Sequence, residues 1–210
     1  MIDGQAPAAL RAVAFLWVAS LFCGPLAVSV SGQTALIDAV KSGSAAAVSR
    51  LLEEGADPNV TEPDGTTPLH WAIQRNDQST AHRLISGGAE VGVTNRYGVT
   101  PLSLAATNGS VAMVEALLAA GATPETASPG GDTPLMIAAR TGRVDVLQLL
   151  IDAGASVSAT ESWKGQTALM WASAEGHADA VRTLVAAGAD VEARSNGQLT
   201  SLLFAVRAGR

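Results

Sequence analysis

Gly65-Thr66-Thr67-Pro68-Leu69-His70-Trp71-Ala72-Ile73 is the stretch on which the reading of the fold turns. Thr67 followed by Pro68 reads as a helix N-cap with proline at the first helical position, where a missing N–H loses no hydrogen bond. Leu69, Ala72 and Ile73 then follow at the i, i+3, i+4 spacing of one helix face. The Thr-x-Leu start recurs at Thr34, Thr67, Thr100, Thr133, Thr167 and Thr200, at intervals of 33, 33, 33, 34 and 33. A fixed period of this length is the mark of a repeat architecture.

Each unit carries a second apolar segment with the same helical spacing. Val48, Leu51, Leu52 is followed in phase by Ala81, Leu84, Ile85, by Val114, Leu117, Leu118, by Leu147, Leu150, Ile151, and by Val181, Leu184, Val185. Gly43, Gly109, Gly142, Gly176 and Gly209 close the first segment, and Asn76 fills that slot in one unit. Both residue types tolerate the left-handed backbone of a helix C-cap. A Gly-Ala pair at Gly55, Gly88, Gly121, Gly154 and Gly188 closes the second. Each unit is therefore a helix, a tight turn, a helix and a loop.

The apolar side chains of one such unit cannot offset the conformational entropy of ordering it, so neighbours must cover its exposed face. The expectation is an open solenoid. Gly65-x-Thr67-Pro68-Leu69-His70-x-Ala72 resembles the signature of the ankyrin repeat, as do Leu51-Leu52-x-x-Gly55-Ala56-Asp57 and Gly176-His177-Ala178-Asp179. The resemblance runs from about Gly32 to the C-terminus. It implies an all-α ankyrin-repeat solenoid of stacked helix-turn-helix units with β-hairpin-like loops. The units are a capping repeat at 32–63, repeats at 64–96, 97–129, 130–163 and 164–196, and a truncated repeat at 197–210. The alanine-rich repeats and Leu169-Met170-Trp171-Ala172 look bacterial.

The slot of Trp71, Leu104, Ile137, Trp171 and Phe204 is read as packed between helices of adjacent repeats. In the first unit it holds Asp38, which suits a cap whose outer face meets water. The last unit stops at Arg210 before any second helix, which predicts uncovered apolar surface at Ala180, at Leu184 and from Leu202 to Val206, as in a fragment of a longer protein.

Hydrophobic residues make up 48% of the chain but aromatics only 4%, so the core is expected to rest on closely approaching, alanine-rich helices. The net charge is −6, with no run of like charges and no basic stripe, which argues against nucleic acid as a partner. Arg11 precedes an uncharged run over residues 12–30, broken by Gly24-Pro25 and followed by small residues at Ala27, Ser29 and Ser31. These are the parts of a secretory signal peptide over residues 1–31. The chain is accordingly expected to be exported, to the periplasm or outside the cell. The alternative is an uncleaved anchor in the inner membrane through residues 12–30, the one route to membrane association. Cys23 is the only cysteine and lies in this segment, and Phe22 before it does not suit lipidation. Cleavage would leave no thiol for a disulfide or a metal.

The sequence holds no phosphate-cradling glycine loop, no Gly-x-Ser-x-Gly and no His-Glu-x-x-His, so no enzyme, cofactor or metal is expected. Asp57-Pro58-Asn59-Val60-Thr61 begins like a calcium loop but puts Glu62 where glycine must turn the chain. The sequons at Asn59 and Asn108 are read as turn asparagines. The family resemblance assigns His70 and His177 to bracing backbone between repeats, and His82 reads as a surface residue.

The resemblance also implies a concave groove lined by loop tips and by the exposed side of the first helices. Arg96, Tyr97, Trp163 and Lys164 are the candidate contacts on the tips; Met136, Arg140, Met170 and Glu175 are those on the helices. Tyr97 is the only tyrosine, and Trp163 falls in the single 34-residue unit, whose extra residue lengthens a loop. Aromatic and arginine side chains dominate binding energy at interfaces. The expected function is a non-catalytic, monomeric module that binds a protein partner. The alternatives are the targeting arm of a longer exported enzyme, or a membrane-anchored spacer.

Overall fold

The computed structural model describes residues 30–210; the signal segment expected at the N-terminus lies almost wholly outside the described residues. The described residues form eleven α-helices. They are α1 Val30–Ser42, α2 Ala45–Glu53, α3 Pro68–Gln74, α4 Gln78–Ser86, α5 Pro101–Asn108, α6 Val111–Ala119, α7 Pro134–Thr141, α8 Val144–Asp152, α9 Ala168–Glu175, α10 Ala178–Ala186 and α11 Ser201–Arg207. None of them is long and apolar enough to cross a membrane.

The helices pair in chain order and stack in two rows. The odd-numbered first helices α1 to α11 pack each on the next, and the even-numbered second helices α2 to α10 do the same. Two columns of leucines run through the stack: Leu36, Leu69, Leu102, Leu135 and Leu169 under the first row, and Leu84, Leu117, Leu150 and Leu184 under the second, all buried. Ala72, Ala105, Ala138 and Ala172 lie between them without exposure, and their small side chains let the helices approach closely.

Helix starts follow the sequence chemistry. Thr67, Thr100, Thr133 and Thr167 are extended N-caps whose side chains accept from the backbone N–H three residues on, and Pro68, Pro101 and Pro134 begin the helices after the first three. Thr34 breaks the pattern, because α1 starts before it at Val30. Left-handed backbone ends the first helices at Gly109, Gly142 and Gly176, and Asn76 takes the same conformation with φ of 54°.

Two of the histidines tie one repeat to the next. His70 is buried, and its Nε2 lies 3.0 Å from the Val99 carbonyl of the following repeat. A carbonyl only accepts, so Nε2 carries the proton and Nδ1 is free to accept the Thr67 N–H at 3.2 Å. Burial lowers the His70 pKa, in keeping with this neutral tautomer. His177 Nε2 likewise donates to the Arg140 carbonyl at 3.0 Å. His82 is exposed, against the carbonyl of Gln78 on its own helix. The sequon asparagines brace repeats as well: Asn59 bonds the Gly88 carbonyl and the Glu90 N–H, and Asn108 bonds the Ile73 carbonyl.

One expectation about the ends is corrected in part. Ala180 and Leu184 are fully buried, on α10 where it packs against α8 and α9. On α11, Leu202, Leu203 and Val206 are exposed as expected, and Val185 and Val191 are exposed as well. Asp38 is exposed on α1, as a cap requires.

Candidate interaction surface

Five loops project from the stack, each closed by a backbone bond across its base. The pairs are Glu62 N–H to Thr66 O, Asn95 to Val99, Ser128 to Asp132, Glu161 to Gln166 and Ser195 to Leu199. The fourth spans one residue more than the others, which places the extra residue of the 34-residue unit at its tip. Regular strands are missing from these fingers among the described residues, and one isolated antiparallel bridge, Thr160 to Thr167, is all that resembles a hairpin. Tight turns with left-handed glycine at Gly65, Gly98, Gly131 and Gly165 leave too few residues for a ladder.

Neighbouring tips are stitched together by backbone. Arg96 N–H donates to Asp64 O, Ser162 to Gly130 O and Asn196 to Lys164 O, each at 2.8 Å. The repeat spacing places one further rung between Tyr97 O and residue 129. That residue is Pro129, which has no N–H, so the rung is absent. Pro129 instead packs so close that a Cβ on Gly98, whose φ is +74°, would lie 1.8 Å from its Cδ.

The first residue of a finger normally caps the finger's own amides. Asn95 Oδ1 accepts from Tyr97 and Val99, Ser128 Oγ from Gly130 and Asp132, and Ser195 Oγ from Leu199. Glu161 does so most fully, taking the N–H groups of Trp163, Lys164 and Gln166. Burial pushes its pKa up, but those three amides and the Lys164 charge outweigh this and hold its carboxyl below the ordinary value. Glu62 is the exception. Its carboxylate reaches across to Lys41 Nζ at 2.5 Å and to Trp71 Nε1 at 2.6 Å.

This scaffold presents the tip residues to solvent. Trp163 is 82% exposed and Tyr97 64% exposed, so neither packs into the stack. Each has a cation beside its ring: Lys164 Nζ is 5.4 Å from the Trp163 centroid, and the Arg96 guanidinium 5.7 Å from that of Tyr97. On the first helices, Arg140 is exposed with its guanidinium 5.4 Å from the Trp171 ring, and Glu175 is exposed at the last turn of α9. The two tip pairs stand two repeats apart and form separate clusters.

Met136 and Met170 are not part of this surface. They are 2% and 1% exposed, in the slot that His70 occupies in its own repeat. That slot lies at the start of the first helix, under the finger of the next repeat, as the bond from His70 to Val99 demonstrates. A methionine there is core and meets no partner.

The slot of Trp71, Leu104, Ile137, Trp171 and Phe204 also differs from the sequence reading. All five are half-buried: Trp71, Leu104, Ile137 and Trp171 pack against the core, and each of the five keeps part of its surface exposed. Phe204 joins Trp163, Lys164, Leu199, Asn196 and Arg207 around a concavity of about 680 Å³ between the last two fingers and helices α9 and α11. The helical period placed these residues in the unit but gave no sign that they meet Trp163.

The sequence matches the family model of ankyrin repeats (3 copies) in overlapping segments over residues 14–95, 36–128, 72–161 and 122–195. No curated protein matches it. Ankyrin repeats commonly mediate protein–protein interaction and are generally non-catalytic. With a serial stack of helix pairs, fingers joined at their tips and a family model covering well over half of its length, the chain belongs to the ankyrin repeats.

Proposed function

We propose that this chain is a non-catalytic, monomeric interaction module that holds a protein partner against its finger tips and concave face. The observation that carries the reading is the exposure of Trp163, at 82%, on a loop whose N–H groups from Ser162 to Gln166 are bonded by Glu161 and by the preceding finger. A large ring on a preorganised support loses little entropy on binding and buries much area. Tyr97 with Arg96 repeats the arrangement two units away, so one partner can touch both tips. We propose further that the module is exported, on the strength of Arg11, the uncharged run after it and the small residues at Ala27, Ser29 and Ser31, and that it is bacterial, on the strength of its alanine-rich repeats and Leu169-Met170-Trp171-Ala172.

Photo-crosslinking tests the binding reading. A photoreactive side chain at position 97 or 163 should trap the same protein in the native extract, and one at Gln148 on the outer side of α8 should trap none. Equal trapping at all three positions contradicts a dedicated surface.

A further inference from the structure

The concavity beside Trp163 has a charge character unlike that of the chain as a whole. Its apolar wall is Trp163, Leu199 and Phe204, and its two charged lining residues are Lys164 and Arg207. No acidic side chain lines it, although the chain as a whole carries a net charge of −6. The nearest loop carboxylate, Glu161, is turned inward onto the amides of its own finger. Neither Lys164 nor Arg207 is in an ion pair among the described residues. The floor holds the Gln166 carboxamide, whose Oε1 is covered and meets no protein donor.

We infer that this pocket receives an acidic peptide segment, with an Asp or Glu side chain between Lys164 and Arg207 and an adjacent apolar side chain against Trp163 and Phe204. The inference rests on the reading of the chain as a protein-binding module and names the chemistry of what one part of it binds. Two cations suffice to set the orientation of one carboxylate, whose attraction to them strengthens as the apolar wall excludes water. A polyanion fits poorly, because the pocket offers only two cations and the chain as a whole is acidic, with a net charge of −6.

The test is selection of random linear peptides displayed on phage against the full chain, followed by titration of the consensus peptide. The consensus should place Asp or Glu next to Trp, Phe or Leu. The double reversal K164E/R207E should weaken it about tenfold or more with an unchanged melt, since both side chains lie at a solvated rim. Replacing the peptide's acid by Lys should restore binding to the reversed chain. A consensus without an acid, or binding indifferent to the reversal, overturns the inference. If that indifferent binding is lost in R96A/Y97A, the pocket fails while the groove stands. Failure to enrich any peptide, or displacement by heparin as strong as by the peptide itself, also overturns it; trapping from positions 97 and 163 then decides the broader reading separately.

Discussion

The Trp71 indole donates to Glu62 at 2.6 Å, and Lys41, bonded to the same carboxylate, stands 4.3 Å over the same ring. Three repeats later Trp171 occupies the same place, but its Nε1 is buried without a partner. The difference lies in the finger before it, where Glu161 serves the loop amides and leaves the indole unmet. A buried donor without an acceptor is a net cost, whereas a bond to a carboxylate is among the stronger ones. Trp71→Phe should therefore destabilise the chain by about 1 kcal/mol more than Trp171→Phe. Urea melts of the two variants measure the difference. Equal losses would mean that the Glu62 bond contributes nothing.

Gly98 and Pro129 are coupled. A methyl at position 98 meets both a left-handed backbone and the Pro129 ring, so Gly98→Ala should cost about 2 kcal/mol or more. In a Pro129→Ala background only the backbone penalty remains, and the cost should fall by about 1 kcal/mol. A double-mutant cycle gives the coupling directly. Additive effects would show that the tips separate freely at the missing rung.

Gln198 has φ of 61° where the other fingers place Gly65, Gly98, Gly131 and Gly165. Glycine adopts that conformation without the Cβ penalty. Gln198→Gly should raise stability by about 0.5–1 kcal/mol after the extra chain entropy is counted. Thermal melts check it, and a lowered midpoint would indicate that the Gln198 side chain contributes contacts of its own.

Acid should loosen the stack in two steps. Burial lowers the pKa of His70, so its contribution is complete above the ordinary value of 6.5 and declines as pH falls towards the folded value. Glu161 is held below its ordinary 4.5; what it contributes is complete above that value and disappears as pH falls through the folded one. His70→Gln should flatten the fall in stability that sets in below the ordinary histidine value of 6.5 and leave the later one in place. Chemical denaturation at falling pH reads both steps, and a variant that keeps the first step would assign it to another group.

The stack and its punctuation were legible in the sequence because local chemistry and global fold agree: Thr-Pro caps, left-handed glycines and helical spacing each repeat in phase. The tips were legible too, since a tryptophan and a tyrosine inside polar loops have no helix face to join. Met136 and Met170 were misplaced because a single unit shows that slot on the open side of its helix, and only the next repeat's finger covers it. The partnership of Trp163 with Phe204 and Arg207 was illegible for the same kind of reason, since it depends on how fingers lean over the following helix. Periodicity reports what one unit does and is silent on contacts made a full repeat away.

The central claim is that the tips hold a partner and do not hold the fold. Its most direct test is the R96A/Y97A/W163A chain, measured for its melting midpoint and for recovery of the protein trapped from positions 97 and 163. The account predicts a midpoint within about 2 °C of the parent chain, because none of the three side chains is buried, together with loss of the trapped partner. A midpoint lowered well beyond that, or undiminished recovery of the partner, would contradict it.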